Sequence, residues 1–166
     1  MGAAHHYLLN NLVHIVIAAV GKTKRKPEAE LIAHYLKQTR WDISIREIQD
    51  APGNLCADAR RTREAEGLHK LLTPQSRLFV MDSSGQCLSS PQFASLIQTA
   101  QVQSVKTAVF AIGGQDGLDP AVIAQAHTAI AFGAVTWPHQ LLRAMLTEQL
   151  YRAYTIMIRH PYHVGH

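Results

Sequence analysis

The sequence predicts an α/β protein, a mostly parallel sheet covered by helices, and two observations carry that expectation. Short apolar runs rich in β-branched residues alternate along the chain with stretches of helical period, the pattern of repeated βα units. Glycines or cap-and-proline pairs stand between them, as at Gly21, Gly113-Gly114, Ser90-Pro91 and Asp119-Pro120, where strands end and helices start.

Taken in order, Leu12–Val20 reads as the first strand, broken only by His14. Gly21-Lys-Thr-Lys-Arg-Lys26 is a basic loop, and Pro27 with Glu28 opens a helix to about Gln38. That helix presents Leu31, Ile32, Tyr35 and Leu36 to the core. Trp41–Ile48 alternates Ile43, Ile45 and Ile48 against Ser44 and Arg46, a second strand. After the loop at Asp50–Asn54, a charged helix begins at Asp58 and ends near Leu72. Arg77–Asp82 is the third strand and Ser83–Gln86 its turn. Ser89-Ser90-Pro91 caps a helix that runs to about Gln101, with Phe93, Leu96 and Ile97 inward. Ala108–Ile112 suits a buried strand, and Pro120 starts a helix to about Thr128. A second apolar run, Ala129–Trp137, is interrupted by Gly133 and stopped by Pro138. From Leu141 the period is helical, with Leu142, Met145, Leu146, Gln149, Leu150 and Ala153 on one stripe. Leu141, Tyr151 and Tyr154 add more apolar surface than one helix face requires.

The 166 residues fit one domain with a real core. Residues 1–12 read as an N-terminal extension and 13–166 as the domain. No Lys or Arg precedes the first apolar segment, which argues against a signal peptide, and the segment is too short to span a bilayer. A net charge of +4 with a pI near 9.3 permits an RNA partner. Cys56 and Cys87 lack metal-ligand spacing and make no disulfide framework. They read as packed or incidental thiols in a reducing cytoplasm, and no metal is expected.

Gly21-Lys22-Thr23 invites a P-loop reading, but the glycine required five positions before Gly21 is replaced by Val16. The basic loop and the run Arg60-Arg61-Thr-Arg63 suit either contacts to an RNA backbone or ordinary solvated, ion-paired surface. Gly113-Gly114-x-x-Gly117 is not a dinucleotide fingerprint, although glycines at a strand's carboxyl end let a ligand approach the backbone. More specific is the order Ile112-Gly-Gly-x-Asp116-Gly-Leu, Thr136-x-Pro-His139-x-Leu-x-Arg143, Glu148-Gln-Leu-Tyr-Arg152-Ala, and His160-Pro-Tyr162-His163.

On those motifs the chain resembles the ribosomal large-subunit pseudouridine N3-methyltransferases, a small branch of the SPOUT methyltransferases, from about Val13 to His163. The resemblance implies a SPOUT-type α/β trefoil knot formed by the C-terminal part. It also implies a homodimer and S-adenosylmethionine as methyl donor. The family's cofactor contacts fall on Met81, Gly113 and the run Phe132, Gly133, Ala134, Val135, Thr136 and Trp137. Met81 and Trp137 stand where relatives carry leucine.

The acceptor, N3 of pseudouridine, bears a proton at neutral pH, so its site needs a proton acceptor and a cation. Glu148 and Arg152 lie four apart on one helix face, and Tyr162 and His163 close the chain's last motif. These four are the catalytic candidates, with His139, Arg143 and His160 as further polar groups. The family's tail continues with a basic residue, where this chain has Val164-Gly165-His166. The resulting expectation is methylation of pseudouridine N3 in large-subunit ribosomal RNA, within the assembled ribosome. The alternatives are the same chemistry on another RNA, such as transfer RNA, and a catalytically silent RNA-binding dimer.

Overall fold

The structure, a computed structural model, describes residues 13–23 and 26–163. The expected extension at residues 1–12, part of the basic loop and the Val164–His166 tail lie outside them. Five strands form one sheet: β1 (His14–Val20), β2 (Ile43–Ile48), β3 (Ser76–Cys87), β4 (Thr107–Ile112) and β5 (Thr128–Ala131). The spatial order is β2-β1-β4-β3-β5, and all four pairings are parallel. Between the strands run α1 (Lys26–Gln38), α2 (Ala57–His69), α3 (Ser90–Val102), α4 (Pro120–Gln125) and α5 (His139–Met157), followed by a single 3-10 turn at Pro161–His163.

The central strands are apolar without a break because helices cover both faces of the sheet. Ile15, Ile17, Phe79, Phe110 and Ile112 point to one face, where they pack with Phe93 and Ile97 of α3 and Leu146 and Leu150 of α5. Val16, Ala18, Val80 and Val109 point to the other, against Leu68 of α2 and Val122 of α4. Part of the apolar surplus on α5 is consumed inside the chain. Tyr154 meets Trp41 edge-on, Tyr151 lies against Tyr35 and Tyr162, and both tyrosines are buried.

The caps act as the sequence predicts. Ser89 and Gln92 form a reciprocal capping box on α3, and Asp119 accepts from the Ala121 N–H at the start of α4. Several boundaries differ, and the strand expected within Ala129–Trp137 ends at Ala131. α4 stops at Gln125, which frees Thr128 to begin β5, and α5 begins at His139, directly after Pro138. The Ser83–Gln86 turn does not leave the sheet. Asp82 turns the chain by accepting from the Ser84 N–H, and β3 then rejoins β5, so that Met81 and Gln86 both pair with Ile130. Gly85 permits the return, because a Cβ there would stand 2.5 Å from backbone atoms of Ala129 and Ile130. Cys56 and Cys87 are both exposed and unpaired, so neither thiol is packed in the core.

A charged side chain is embedded among these layers. Arg143 of α5 is fully buried at the carboxyl end of β1. Its guanidinium donates to the carbonyls of Val20 and Gly21 and, at 3.1 Å, to the Thr23 hydroxyl. One turn earlier on the same helix, Gln140 donates to the Lys22 carbonyl at 2.7 Å. Arg143 thus ties α5 to the strand end. Burial pulls its pKa down, while the charges of Glu47 and Asp50 act against that shift. Arg143→Ala removes three hydrogen bonds and leaves buried carbonyls unpaired, an expected loss of about 3 kcal/mol in urea unfolding. Thr23→Ala removes only one and is expected to cost about 1 kcal/mol.

Candidate active site

The carboxyl ends of β4, β3 and β5 stand side by side, and the loops leaving them enclose a cleft of about 450 Å³. That is the position where parallel α/β sheets bind ligands, and the size suits a cofactor. Met81, Gly113, Phe132, Gly133, Val135, Thr136 and Trp137 all line it, whereas Ala134 is exposed and does not. The Trp137 indole N–H donates to the Phe132 carbonyl at 2.8 Å, which folds residues 132–137 back on themselves as one wall. Gly133 has φ +100, a backbone conformation that other residues rarely adopt. Leu118, His139 and Leu142 also line the cleft. The sequence motifs contain Leu118 and His139, but no spacing sets them beside Leu142; the fold brings the three together.

The glycine turn is held by its own chain. A Cβ on Gly113 would lie 2.5 Å from the Gly117 carbonyl carbon and 2.8 Å from the Leu118 nitrogen. Gly113 is therefore required by the tight return of the turn, before any ligand is considered. Asp116 at the tip accepts two hydrogen bonds from Arg60 of α2, at 2.6 and 2.9 Å, and its carbonyl accepts from Arg61. Those Arg60 hydrogen bonds hold the Asp116 carboxyl below the usual carboxylate range and raise Arg60 in turn. Arg61 also pairs with Asp58, and Arg63 lies 3.6 Å from Glu66. Of the two sequence readings for these arginines, the structure favours ion pairing, and two of them pin the cleft's glycine turn.

The catalytic candidates form a separate cluster. Glu148 Oε1 accepts from Arg152 at 2.6 and 2.9 Å and from the Tyr162 hydroxyl at 3.1 Å, while Gln149 donates to its Oε2 at 2.7 Å. The Arg152 guanidinium also lies over the Tyr162 ring, 5.0 Å from its centre. Burial works against the charge on Arg152, but the Glu148 hydrogen bond and charge outweigh it and raise the pKa. Burial first, then Tyr35 and Glu148, push the Tyr162 hydroxyl well above its ordinary value, so it stays protonated and donates. Glu148, surrounded by donors, orients Arg152 and Tyr162. None of the three lines the cofactor-sized cleft; Glu148 borders a neighbouring groove that shares Phe132 with it. His163 ends the 3-10 turn, and its side chain lies outside the described residues.

This geometry coincides with a family. The model described as "Predicted SPOUT methyltransferase" matches residues 13–163. The chain belongs to the SPOUT methyltransferases. Curated relatives agree over nearly their whole length. A protein of Nitrobacter hamburgensis named ribosomal RNA large subunit methyltransferase H is 38% identical over 162 residues, covering 92% of this chain and 100% of that one. A protein of the same name from Paracoccus denitrificans is 40% identical over 159 residues, with 91% and 99% covered. Among solved structures, a probable methyltransferase from Bordetella pertussis Tohama I shares the fold. Its TM-score is 0.57 at 13% identity, over 90% of this chain and 99% of that one. Among the described residues, no group of His, Cys, Asp and Glu could hold a metal, and no helix is long and apolar enough to cross a membrane.

Glu64 is a buried carboxylate beside the glycine turn that periodicity did not reveal. It lies on α2, only 7% exposed, beneath the glycine turn, and one carboxylate oxygen accepts from the Ala51 N–H at 3.1 Å. Burial raises its pKa; the Ala51 hydrogen bond opposes that shift, while Asp50 and Asp116 add to it. The folded state therefore holds the Glu64 proton to higher pH than the unfolded chain does. Stability falls as pH climbs from the ordinary carboxylate range through that raised pKa. Glu64→Gln keeps an acceptor for Ala51 and removes the buried charge. The variant is expected to melt above wild type near pH 7 and together with it near about pH 4, where the glutamate is protonated. Calorimetric scans at the two pH values measure the difference.

Proposed function

We propose that this SPOUT methyltransferase transfers a methyl group from S-adenosylmethionine to N3 of a pseudouridine in large-subunit ribosomal RNA, on the assembled ribosome in the cytoplasm. The observation that carries the reading is the agreement, over nearly the full chain, with relatives named for large-subunit ribosomal RNA methylation. The glycine-turn cleft fits the donor: apolar Met81, Ile112, Ile130 and Leu142 suit an adenine ring, and the loop at 132–137 offers backbone groups for its edge. When bound, S-adenosylmethionine supplies an electrophilic methyl on a sulfonium centre. Met81, Gly113, the loop at 132–137 and the Asp116-pinned turn hold and orient the donor there.

The acceptor side is assigned to Arg152, Tyr162 and His163. Arg152, kept cationic by Glu148, stabilises the negative charge that spreads over the base oxygens once N3 loses its proton. Tyr162, kept protonated, donates a hydrogen bond to the same charge. The His163 imidazole, with a pKa ordinarily near neutrality, takes the N3 proton. Within one chain, Arg152 and Tyr162 do not line the donor cleft. A second copy that brings its tail to this cleft completes the site, which is why the reading includes a homodimer. Exposed Val135 at the cleft rim and Leu31 on α1 provide apolar surface for such a contact.

Arg152→Ala is expected to leave S-adenosylmethionine affinity within about twofold and to lower single-turnover methylation of unmodified ribosomes by about 100-fold. A surface ion pair would instead be worth only about 0.5 kcal/mol of stability and leave the rate intact. Asp116→Ala has the complementary signature, because freeing the glycine turn weakens donor binding in calorimetry by about tenfold. Nucleoside mass spectrometry of the treated ribosomes identifies the product; methyl on transfer RNA alone overturns the choice of substrate. Sedimentation at micromolar concentration is expected to give about twice the 18.4 kDa chain mass.

A further inference from the structure

A second, larger cleft of about 670 Å³ lies on the other side of the glycine turn, between the end of β1, the loop after β2, and the starts of α2 and α5. It shares Gln115, Pro138 and His139 with the donor cleft, so the two are separated by a single wall. Two side chains that line it, each at least nine-tenths buried, carry an oxygen without a hydrogen-bond partner: Glu64 Oε2 and Gln140 Oε1. The other oxygen of Glu64 is held by Ala51. The Gln140 amide nitrogen donates to the Lys22 carbonyl, which fixes the free atom as the acceptor oxygen. Glu28 Oε2, also buried, is a third acceptor without a partner among the described residues. Leaving such atoms unpaired is unfavourable, and a donating ligand removes that cost.

We infer that this cleft binds a nucleobase bearing an exocyclic amino group, from a nucleotide that flanks the methyl acceptor in the RNA. One amino group carries two N–H hydrogens, one for Glu64 Oε2 and one for Gln140 Oε1. Adenine, cytosine and guanine have such a group; uracil and pseudouridine do not, so the cleft excludes the acceptor base itself. The charge around it selects a base over a phosphate. Glu28, Asp50 and Glu64 face the cleft, and Arg60 is already committed to Asp116. Exposed Lys22 at the edge can meet the phosphate of the inserted nucleotide. Single-stranded RNA is commonly read in this way, with splayed bases hydrogen-bonded along their edges. The inference rests on RNA being the substrate, as proposed above.

The test uses the full chain and free nucleotides, with the Ala51 amide as the NMR reporter beside Glu64. Adenosine and cytidine monophosphate are expected to shift that amide saturably. Uridine monophosphate and purine riboside monophosphate, which has the adenine ring without its amino group, are expected not to. Glu64→Gln replaces the free acceptor with a donor and is expected to weaken the adenosine monophosphate response about tenfold. Glu28→Gln, on the first turn of α1, is expected to weaken it in the same direction and serves as an independent variant. Equal shifts from uridine monophosphate, no shift from any nucleotide, or an unaltered response in both variants overturns the inference. A response to spermidine alone also overturns it, by making the cleft an amine site. Ribosome methylation by the same wild-type preparation reports separately on whether RNA is the substrate.

Discussion

A buried guanidinium bonded to backbone oxygens fixes the geometry on which both clefts depend. Arg143 rises from α5 into the sheet's carboxyl edge, where its two terminal nitrogens donate to backbone oxygens and one hydroxyl. A buried cation is tolerated only where acceptors converge on it, so the arrangement of β1's end and the α5 helix is set jointly. Lysine has neither the reach nor the forked donors to bridge adjacent carbonyls in this way. Gly21 takes φ +83 at the same point, and its N–H donates to Ile48 of β2, so β2 joins the constraint. Every wall built from the first turns of α5, on the donor cleft and on the acidic one, inherits its position from this contact.

A second constraint acts across the sheet edge. The glycine turn could swing as a hinge, since its residues carry little side-chain bulk. Arg60 stops it by meeting Asp116 with two parallel hydrogen bonds, a geometry that sets direction as well as distance. The turn that would hold a ligand's edge is in this way pre-ordered by α2, and less ordering is left to be done on binding. Glu64 on the same helix face feels the Arg60 charge, but the hydrogen bonds of Arg60 are directed to Asp116 and to the carbonyls of Gly53 and Leu55.

Much of the fold was legible because its signals are local. The apolar run Ala108–Ile112, the capping box at Ser89 and the Asp119-Pro120 start each depend on residues within a few positions of one another. Most of the predicted donor contacts lie together for a similar reason, since they sit on the loops at adjacent strand ends. What was illegible is non-local. Arg60 and Asp116 are 56 residues apart, so no spacing rule joins them. Tyr151 and Tyr154 looked surplus to one helix face because their partners, Tyr35 and Trp41, precede them by more than a hundred positions. Ser83–Gln86 has turn composition and does turn, but whether a chain then leaves the sheet or rejoins it is decided by the partner strand. A knot lies further still beyond periodicity, and here it rests on membership of the family alone.

The return of β3 onto β5 has a consequence for how the protein moves. β5 has four residues and, among the described residues, pairs with β3 alone, through a register that is interrupted at the bulge. It is also the root of the loop that walls the donor cleft. The strand and its loop therefore form a cooperative unit that can open on its own, at a free energy well below that of global unfolding. Amide protons of Ile130 and Ala131 will exchange through this local opening, and those of β1 and β4 only through loss of the whole sheet. The protein can thus admit and release what it binds by breathing at one edge, with the Arg143 anchorage left undisturbed.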